Sequence, residues 1–228
     1  MAESPEWDQV LRSATRLQQL VPDSVLVGGS AAATHAHHRV SFDHDHVMTD
    51  LRERFDGVLE ALEATEGWVT ARVRRPVLIL GSLDGVETGI RQLIRRRPLE
   101  VEEIAWQGQR LRVPTLAETA RVKGWMVLTR NATRDYLAFV ALADRLGDDA
   151  QAVIRSMDDY YADQRGPGGQ RIATQLAKQL AEPAPYDLDT VDLRRYRQLE
   201  SRWRDWSTVA AACLDLAART LAPGEDQP

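Results

Sequence analysis

The sequence predicts an α+β fold, a mixed sheet with flanking helices, followed by an all-helical C-terminal domain. Three observations carry that prediction. Short apolar runs alternate with helical patterns up to Gly67. From Trp68 to Val113 the periodicity becomes that of strands. After Pro114 the pattern is helical throughout. The boundary falls after Val113, giving a domain over 1–113 and a helical domain over 114–228.

Ser4-Pro5-Glu6 predicts a helix start, with Ser4 as N-cap and Pro5 at the first helical position. Trp7, Val10, Leu11, Leu17 and Leu20 then recur at helical spacing, and Pro22-Asp23 ends the helix. Val25 to Val27 reads as a short buried strand, Ser30 to His38 as a short helix and Val40 to Met48 as the next strand. Asp50 with Glu53 predicts a capped helix through Phe55, Val58, Leu59 and Leu62, closed by Gly67. Five strands follow, at Val69–Val73, Val77–Leu80, Val86–Leu93, Leu99–Ile104 and Arg110–Val113. Asp84-Gly85 and Gln107-Gly108 are the hairpin turns among them. Thr115 and Glu118 form a capping box for the first C-terminal helix, to about Leu128. Asn131 caps a second helix, to Leu146, and a third runs from about Asp148 to Gln164. Gly166-Pro167-Gly168-Gly169 breaks the chain before a fourth helix, Arg171–Leu180. After the Pro183–Pro185 linker, Asp189 is expected to cap one long segment to Thr220 that packs through Trp203 and Trp206. The tail Pro223–Pro228 should fray.

A chain of 228 residues with 43% hydrophobic and 28% charged residues has material for a real core. It has no apolar run of membrane-spanning length, and its acidic N-terminus lacks a signal-peptide core. The expectation is a cytoplasmic protein with no membrane partner. Cys213 is the only cysteine, which excludes an internal disulfide and a cysteine zinc cage. A net charge of −5 argues against nonspecific coating of nucleic acid but leaves room for a local basic face. Nine arginines between Arg72 and Arg112 could form one, tracking the phosphates of RNA, or could be an ordinary charged surface.

The chemistry centres on Val25 to Thr49. Gly28-Gly29-Ser30 stands at a strand-to-helix junction, where glycines let backbone N–H groups approach a phosphate. An ordinary turn has the same composition. Asp43 and Asp45 stand two apart in an extended segment and would share one face, with His44 and His46 on the other. Paired carboxylates can hold Mg²⁺, or Mn²⁺ in its place, for phosphate chemistry. All five histidines lie between His35 and His46, so a zinc site competes with substrate contact and with plain packing.

A Gly-Ser turn followed by an Asp-x-Asp strand resembles the DNA polymerase β-like nucleotidyltransferases. Gly28-Gly29-Ser30-Ala31-Ala32 and Arg39-Val40-Ser41-Phe42-Asp43-His44-Asp45 are similar to the AbiEii/AbiGii toxin branch of that superfamily. Lys123 matches a later helical lysine, and Asp135, preceded by Arg134, matches an acidic position on the following helix. The likeness covers about 25–146. It implies a polymerase β-like nucleotidyltransferase sheet and catalytic residues Asp43, Asp45, Lys123 and Asp135. Gly28, Gly29, Ser30 and Lys123 would bind the nucleotide. Asp43 and Asp45 would hold the metal, with Glu87 as the candidate third carboxylate. The helical domain would complete the cleft. Lys123 could otherwise be a surface lysine, and Asp135 could simply pair with Lys123 or Arg130. The implied activity is Mg²⁺-dependent transfer of NMP from an NTP. The acceptor would be the tRNA 3′ end, and the chain a toxin partnered by an antitoxin protein. The rivals are adenylylation of an antibiotic or a protein, and a non-catalytic nucleotide-binding module.

Overall fold

A computed structural model describes residues 4–165 and 168–222. The break expected at Gly166-Pro167 and the fraying expected of Pro223–Pro228 lie outside the described residues. The chain divides into two compact units between Glu118 and Thr119.

The first unit opens with α1, Pro5–Leu20, whose N-cap Ser4 accepts a hydrogen bond from the Trp7 N–H at 3.2 Å. Next come β1 (Val25–Val27), α2 (Gly28–Ala36), β2 (His44–Met48) and α3 (Leu51–Glu63). The remaining strands are β3 (Trp68–Arg74), β4 (Leu78–Leu83), β5 (Val86–Gln92), β6 (Val101–Trp106) and β7 (Gln109–Pro114). Five strands form a mixed sheet in the order β1-β2-β5-β4-β3, with β2 and β5 parallel and the other pairs antiparallel. The sequence pattern suggested one sheet, but β6 and β7 pair only with each other. Both expected hairpin turns are present, with positive φ at Asp84, Gly85, Gln107 and Gly108.

One face of the five-stranded sheet is dry. Met48, Ile79, Leu83 and Ile90 pack there with Leu17 of α1 and with Leu51, Phe55, Val58, Leu59 and Leu62 of α3. The period-two alternation puts His44, His46 and Thr88 on this face. Asp45, Val47, Glu87 and Arg91 fall on the opposite, more open face.

Two boundaries differ from expectation, and both shape the site. Helix α2 begins at Gly28 rather than Ser30, because Gly28 adopts φ +76° and turns the chain straight out of β1. Strand β2 begins at His44 rather than Val40. Its partner β1 has only three residues, and their register ends at Val27 opposite Asp45. Nothing in β1 remains to pair with the segment from Val40 to Asp43.

The second unit is built from α4 (Leu116–Arg130), which starts just before the division, α5 (Thr133–Leu146), α6 (Ala150–Tyr160), α7 (Ile172–Ala181) and α8 (Trp206–Leu221). Asn131 is not the cap of α5. It takes φ +51°, and its side-chain oxygen accepts from Tyr136 Oη and Gln179 Nε2. Asp187 caps the helix instead, accepting from the Thr133 N–H and hydroxyl, each at 2.8 Å. Nor does Asp189 open a long helix. The chain reaches α8 through short 3₁₀ turns at Leu193–Arg195 and Ser201–Trp203. Local Asp side chains compete with the helical ladder there, as where Asp192 accepts from the Arg194 N–H at 3.0 Å. Trp203 is buried, and Trp206 meets the Tyr136 ring edge-on with centroids 5.8 Å apart. Cys213 is a core thiol whose pKa burial pushes up to about 12. No helix among the described residues is long and apolar enough to cross a membrane.

Candidate active site

Helix α2 and the segment entering β2 meet at one place. A Cβ on Gly28 would lie 3.4 Å from Asp45 Oδ2, so the first turn of the helix sits directly against that carboxylate. A Cβ on Gly29 would lie only 2.6 Å from Ser41 Oγ, a separation that real Cβ atoms do not adopt. Ser30 is buried and donates to the Asp43 carbonyl at 2.5 Å. Ser41 is buried too, and its hydroxyl donates to Asp43 Oδ1 at 2.7 Å. The Asp43 carbonyl and carboxylate are therefore met by serine hydroxyls where a strand partner is missing. In this arrangement Ser30 fixes the approach to β2, and Ser41 orients the exposed Asp43 carboxylate.

Asp45 is half-buried and lies opposite Gly89 of β5. Its Oδ1 is 3.6 Å from Arg91 Nε. Glu87 is exposed, two residues before Gly89 on the same face of β5. Among the described residues no group of three or more His, Cys, Asp and Glu is placed to hold a metal. Asp43 and Asp45 alone make a two-carboxylate, hard-oxygen donor set. Mg²⁺ is commonly held in this way when substrate phosphates and water complete its shell. The residues thus fit Mg²⁺ or Mn²⁺ together with a nucleotide, rather than an all-protein cage.

His44 and His46 are buried packing groups with a defined hydrogen-bond order. Ser13 Oγ donates to the Leu83 carbonyl at 3.0 Å, so it must accept from His44 Nε2 at 2.9 Å. His44 Nδ1 then accepts from Thr88 Oγ1 at 2.9 Å and from His46 Nε2 at 3.0 Å. His46 Nδ1 accepts from Ser24 Oγ at 3.3 Å. Both rings are neutral Nε2–H tautomers by this network, which leaves neither lone pair pointing at a zinc ion. His35 is held separately at the Pro114 carbonyl, 2.7 Å away.

Burial lowers the His44 pKa to about 4, against a smaller opposing effect of Asp43. Burial first, and His44 second, push His46 well below its ordinary value. The unfolded chain binds protons near pH 6.5 that the folded chain refuses until about pH 4. The stability due to neutral His44 is therefore complete above pH 6.5 and is lost as pH falls through that window, by about 3 kcal/mol. Urea midpoints measured with EDTA between pH 7 and pH 4 should fall, and the fall should shrink in His44→Gln. An equal slope in the variant would contradict the assignment.

Lys123 and Asp135 are brought together within the helical unit. Lys123 Nζ is 3.4 Å from Asp135 Oδ1, and Arg130 Nε is 3.1 Å from Oδ2. Lys123 is buried rather than solvated, and Asp135 is fully buried. Asp135 thus pairs with both Lys123 and Arg130, the structural role set against a catalytic one. The arginines of the strand region divide among separate settings. Arg95 is buried against Glu118, Arg75 lies over the Phe55 ring and pairs with Asp56, and Arg110 pairs with Glu103. Arg72, Arg74, Arg96 and Arg97 are exposed. Sequence reasoning missed the link of Arg91 to Asp45 and the support of His44 by Ser13 and Thr88, since each depends on strand order.

No protein-family model matches the chain, so the AbiEii/AbiGii resemblance stays with its motifs. The heme uptake protein MmpL11 of Mycobacterium tuberculosis (strain ATCC 25618 / H37Rv) is 33% identical over 245 residues, covering 96% of this chain and 23% of that protein. The mycolic acid-containing lipids exporter MmpL11 of Mycolicibacterium smegmatis is 37% identical over 129 residues, covering 56% of this chain and 13% of that protein. The chain spans less than a quarter of the length of these curated relatives. Among solved structures, an antigenic nucleotidyltransferase-like protein from Paracoccidioides brasiliensis aligns with a TM-score of 0.48 and 15% identity, over 70% of this chain and 90% of that one. ANT(2″)-Ia in complex with adenylyl-2″-tobramycin aligns with a TM-score of 0.49 and 11% identity, over 68% of this chain and 98% of that one. Neither likeness reaches a TM-score of 0.5, and the chemistry of the site rests on its own residues.

Proposed function

We infer that the chain transfers a nucleoside monophosphate from an NTP to an acceptor. One observation carries this reading. The glycine-started helix α2 packs Gly28 against the Asp45 carboxylate and holds the Asp43 backbone through Ser30, while Ser41 orients the Asp43 carboxylate. A helix N-terminus favours phosphate, whereas carboxylates repel it. The two together suit a triphosphate only when a divalent cation lies between. Bound there by Asp43 and Asp45, with Glu87 as the candidate third carboxylate, Mg²⁺ or Mn²⁺ would neutralise phosphate charge as it builds toward the transition state. Gly28 and Gly29 would offer their backbone N–H groups to the triphosphate at the first turn, and Ser30 and Ser41 keep the Asp43 segment in register. The acceptor oxygen bonds to the α-phosphorus, and the bond from that phosphorus to the bridging oxygen breaks. Pyrophosphate leaves, and the acceptor proton passes to a carboxylate or to water. Lys123, held by Asp135, enters the proposal as a further cation for the nucleotide.

The motif resemblance narrows the acceptor to the tRNA 3′ end and the role to a toxin restrained by an antitoxin protein. Exposed Arg72, Arg74, Arg96 and Arg97 suit an RNA phosphate backbone better than a small antibiotic. Each labelled NTP with Mg²⁺ and total tRNA tests the reading. Label should enter RNA with wild type and not with Asp43→Ala. No transfer with any NTP, to RNA, aminoglycoside or protein, would refute it.

A second reading is a nucleotide-binding module without transfer activity. A melting shift with Mg²⁺ and NTP, without any label transfer, would select it.

A further inference from the structure

We propose that Arg91 is a placeholder cation, neutralising Asp45 until a divalent cation arrives and then serving the phosphates that come with it. This rests on the two-carboxylate site described above. Arg91 stands on β5 opposite Val47, two residue pairs beyond Asp45 opposite Gly89 and next to it on the same sheet face. Gly89 has no side chain on the shared face, and a Cβ there would come within 3.5 Å of Asp45 Oδ1 and 2.5 Å of Leu80 Cδ2. The Arg91 guanidinium folds back along the strand to bring Nε 3.6 Å from Asp45 Oδ1.

The pair is an open one, with side chains 47% and 36% exposed, so it is weakly held and easily exchanged. A divalent cation on Asp45 takes the oxygen that Arg91 faces and repels the guanidinium at the same time. The displaced arginine stays on the same sheet face, beside a cation whose remaining ligands are phosphate oxygens. Its fork of N–H donors matches those oxygens. Arg91 should therefore oppose the metal alone and favour the metal with its phosphates, two effects of opposite sign from one side chain.

Mn²⁺ binding by the full chain, followed through the EPR signal of the free aquo ion, separates the two effects. At low ionic strength, Arg91→Gln should bind Mn²⁺ about three- to tenfold more tightly than wild type. With Mn²⁺ saturating, it should bind inorganic tripolyphosphate about three- to tenfold more weakly. The metal gain should shrink as salt is raised. Arg91→Lys should return Mn²⁺ affinity toward wild type and recover only part of the tripolyphosphate affinity, since an ammonium cannot fork. A loosened fold would weaken both ligands and cannot produce opposite signs. If Arg91→Gln binds Mn²⁺ no more tightly while Asp45→Asn abolishes binding, the placeholder is overturned and the two-carboxylate site stands. If neither wild type nor Arg91→Gln takes up Mn²⁺, with or without tripolyphosphate, site and placeholder fall together.

Discussion

Asp45→Asn should lower label transfer from NTP by about a thousandfold or more while leaving the melting temperature almost unchanged. The catalytic loss follows from charge. On the proposed reading Asp43 and Asp45 would share one cation, and the amide supplies a ligand oxygen with no charge behind it. The cation must then be held by Asp43 and the substrate alone. The small effect on stability follows from the setting of the side chain. The Asp45 side chain is 36% exposed and pairs with exposed Arg91, a contact worth about 0–1 kcal/mol. Asp43→Asn should behave alike, because the amide oxygen can still accept the Ser41 hydroxyl that holds the segment in place. Activity within tenfold of wild type in either variant would remove both carboxylates from the chemistry. A low activity accompanied by a large drop in melting temperature would mean that the residues serve the fold instead.

What the sequence revealed of this site was its local part. Ser4 capping α1, the Thr115 hydroxyl accepting from the Glu118 N–H, and the two glycine-containing hairpins all depend on residues within a turn of one another. So does the alternation of carboxylates and histidines along the segment into β2. The partners that give these residues their roles come from far along the chain. Only the parallel pairing of β2 with β5 puts Gly89 beside Asp45 and Thr88 beside His44. Nothing near His44 in the sequence indicates that Ser13 of α1 accepts its Nε2–H. The same limit explains Asn131, whose capping position was taken by Asp187 from another part of the helical unit. It also explains β2, whose apolar and polar alternation extends to Val40 although its partner strand stops short. Periodicity reports which face a residue occupies, and the partner strand decides whether the ladder exists.

The largest stability effect expected in the first unit comes from a residue whose obvious local role is incomplete. In a full capping box Glu118 would turn back to the Thr115 N–H, but that N–H donates to the Glu100 carbonyl at 2.9 Å. The Glu118 carboxylate instead meets Arg95 Nη2, and both side chains are fully buried. Arg95 also donates from Nε to the Arg97 carbonyl at 2.9 Å and from Nη2 to the Pro98 carbonyl at 3.1 Å. The pair therefore fastens the irregular segment after β5 to the first turn of α4. Removing one partner leaves the other charge buried and unmatched, so Arg95→Met and Glu118→Leu should each cost about 3–5 kcal/mol. For a chain of this length that is a fall of about 10 °C in melting temperature. The double replacement removes both desolvated charges and should be less destabilised than either single variant, a non-additivity read directly from a urea double-mutant cycle. Single variants costing about 1 kcal/mol or less, or a double variant equal to the sum of the two, would show that the pair behaves like a surface contact. Transfer activity in the folded double variant should persist, because the pair organises the backbone around α4 and touches neither Asp43 nor Asp45.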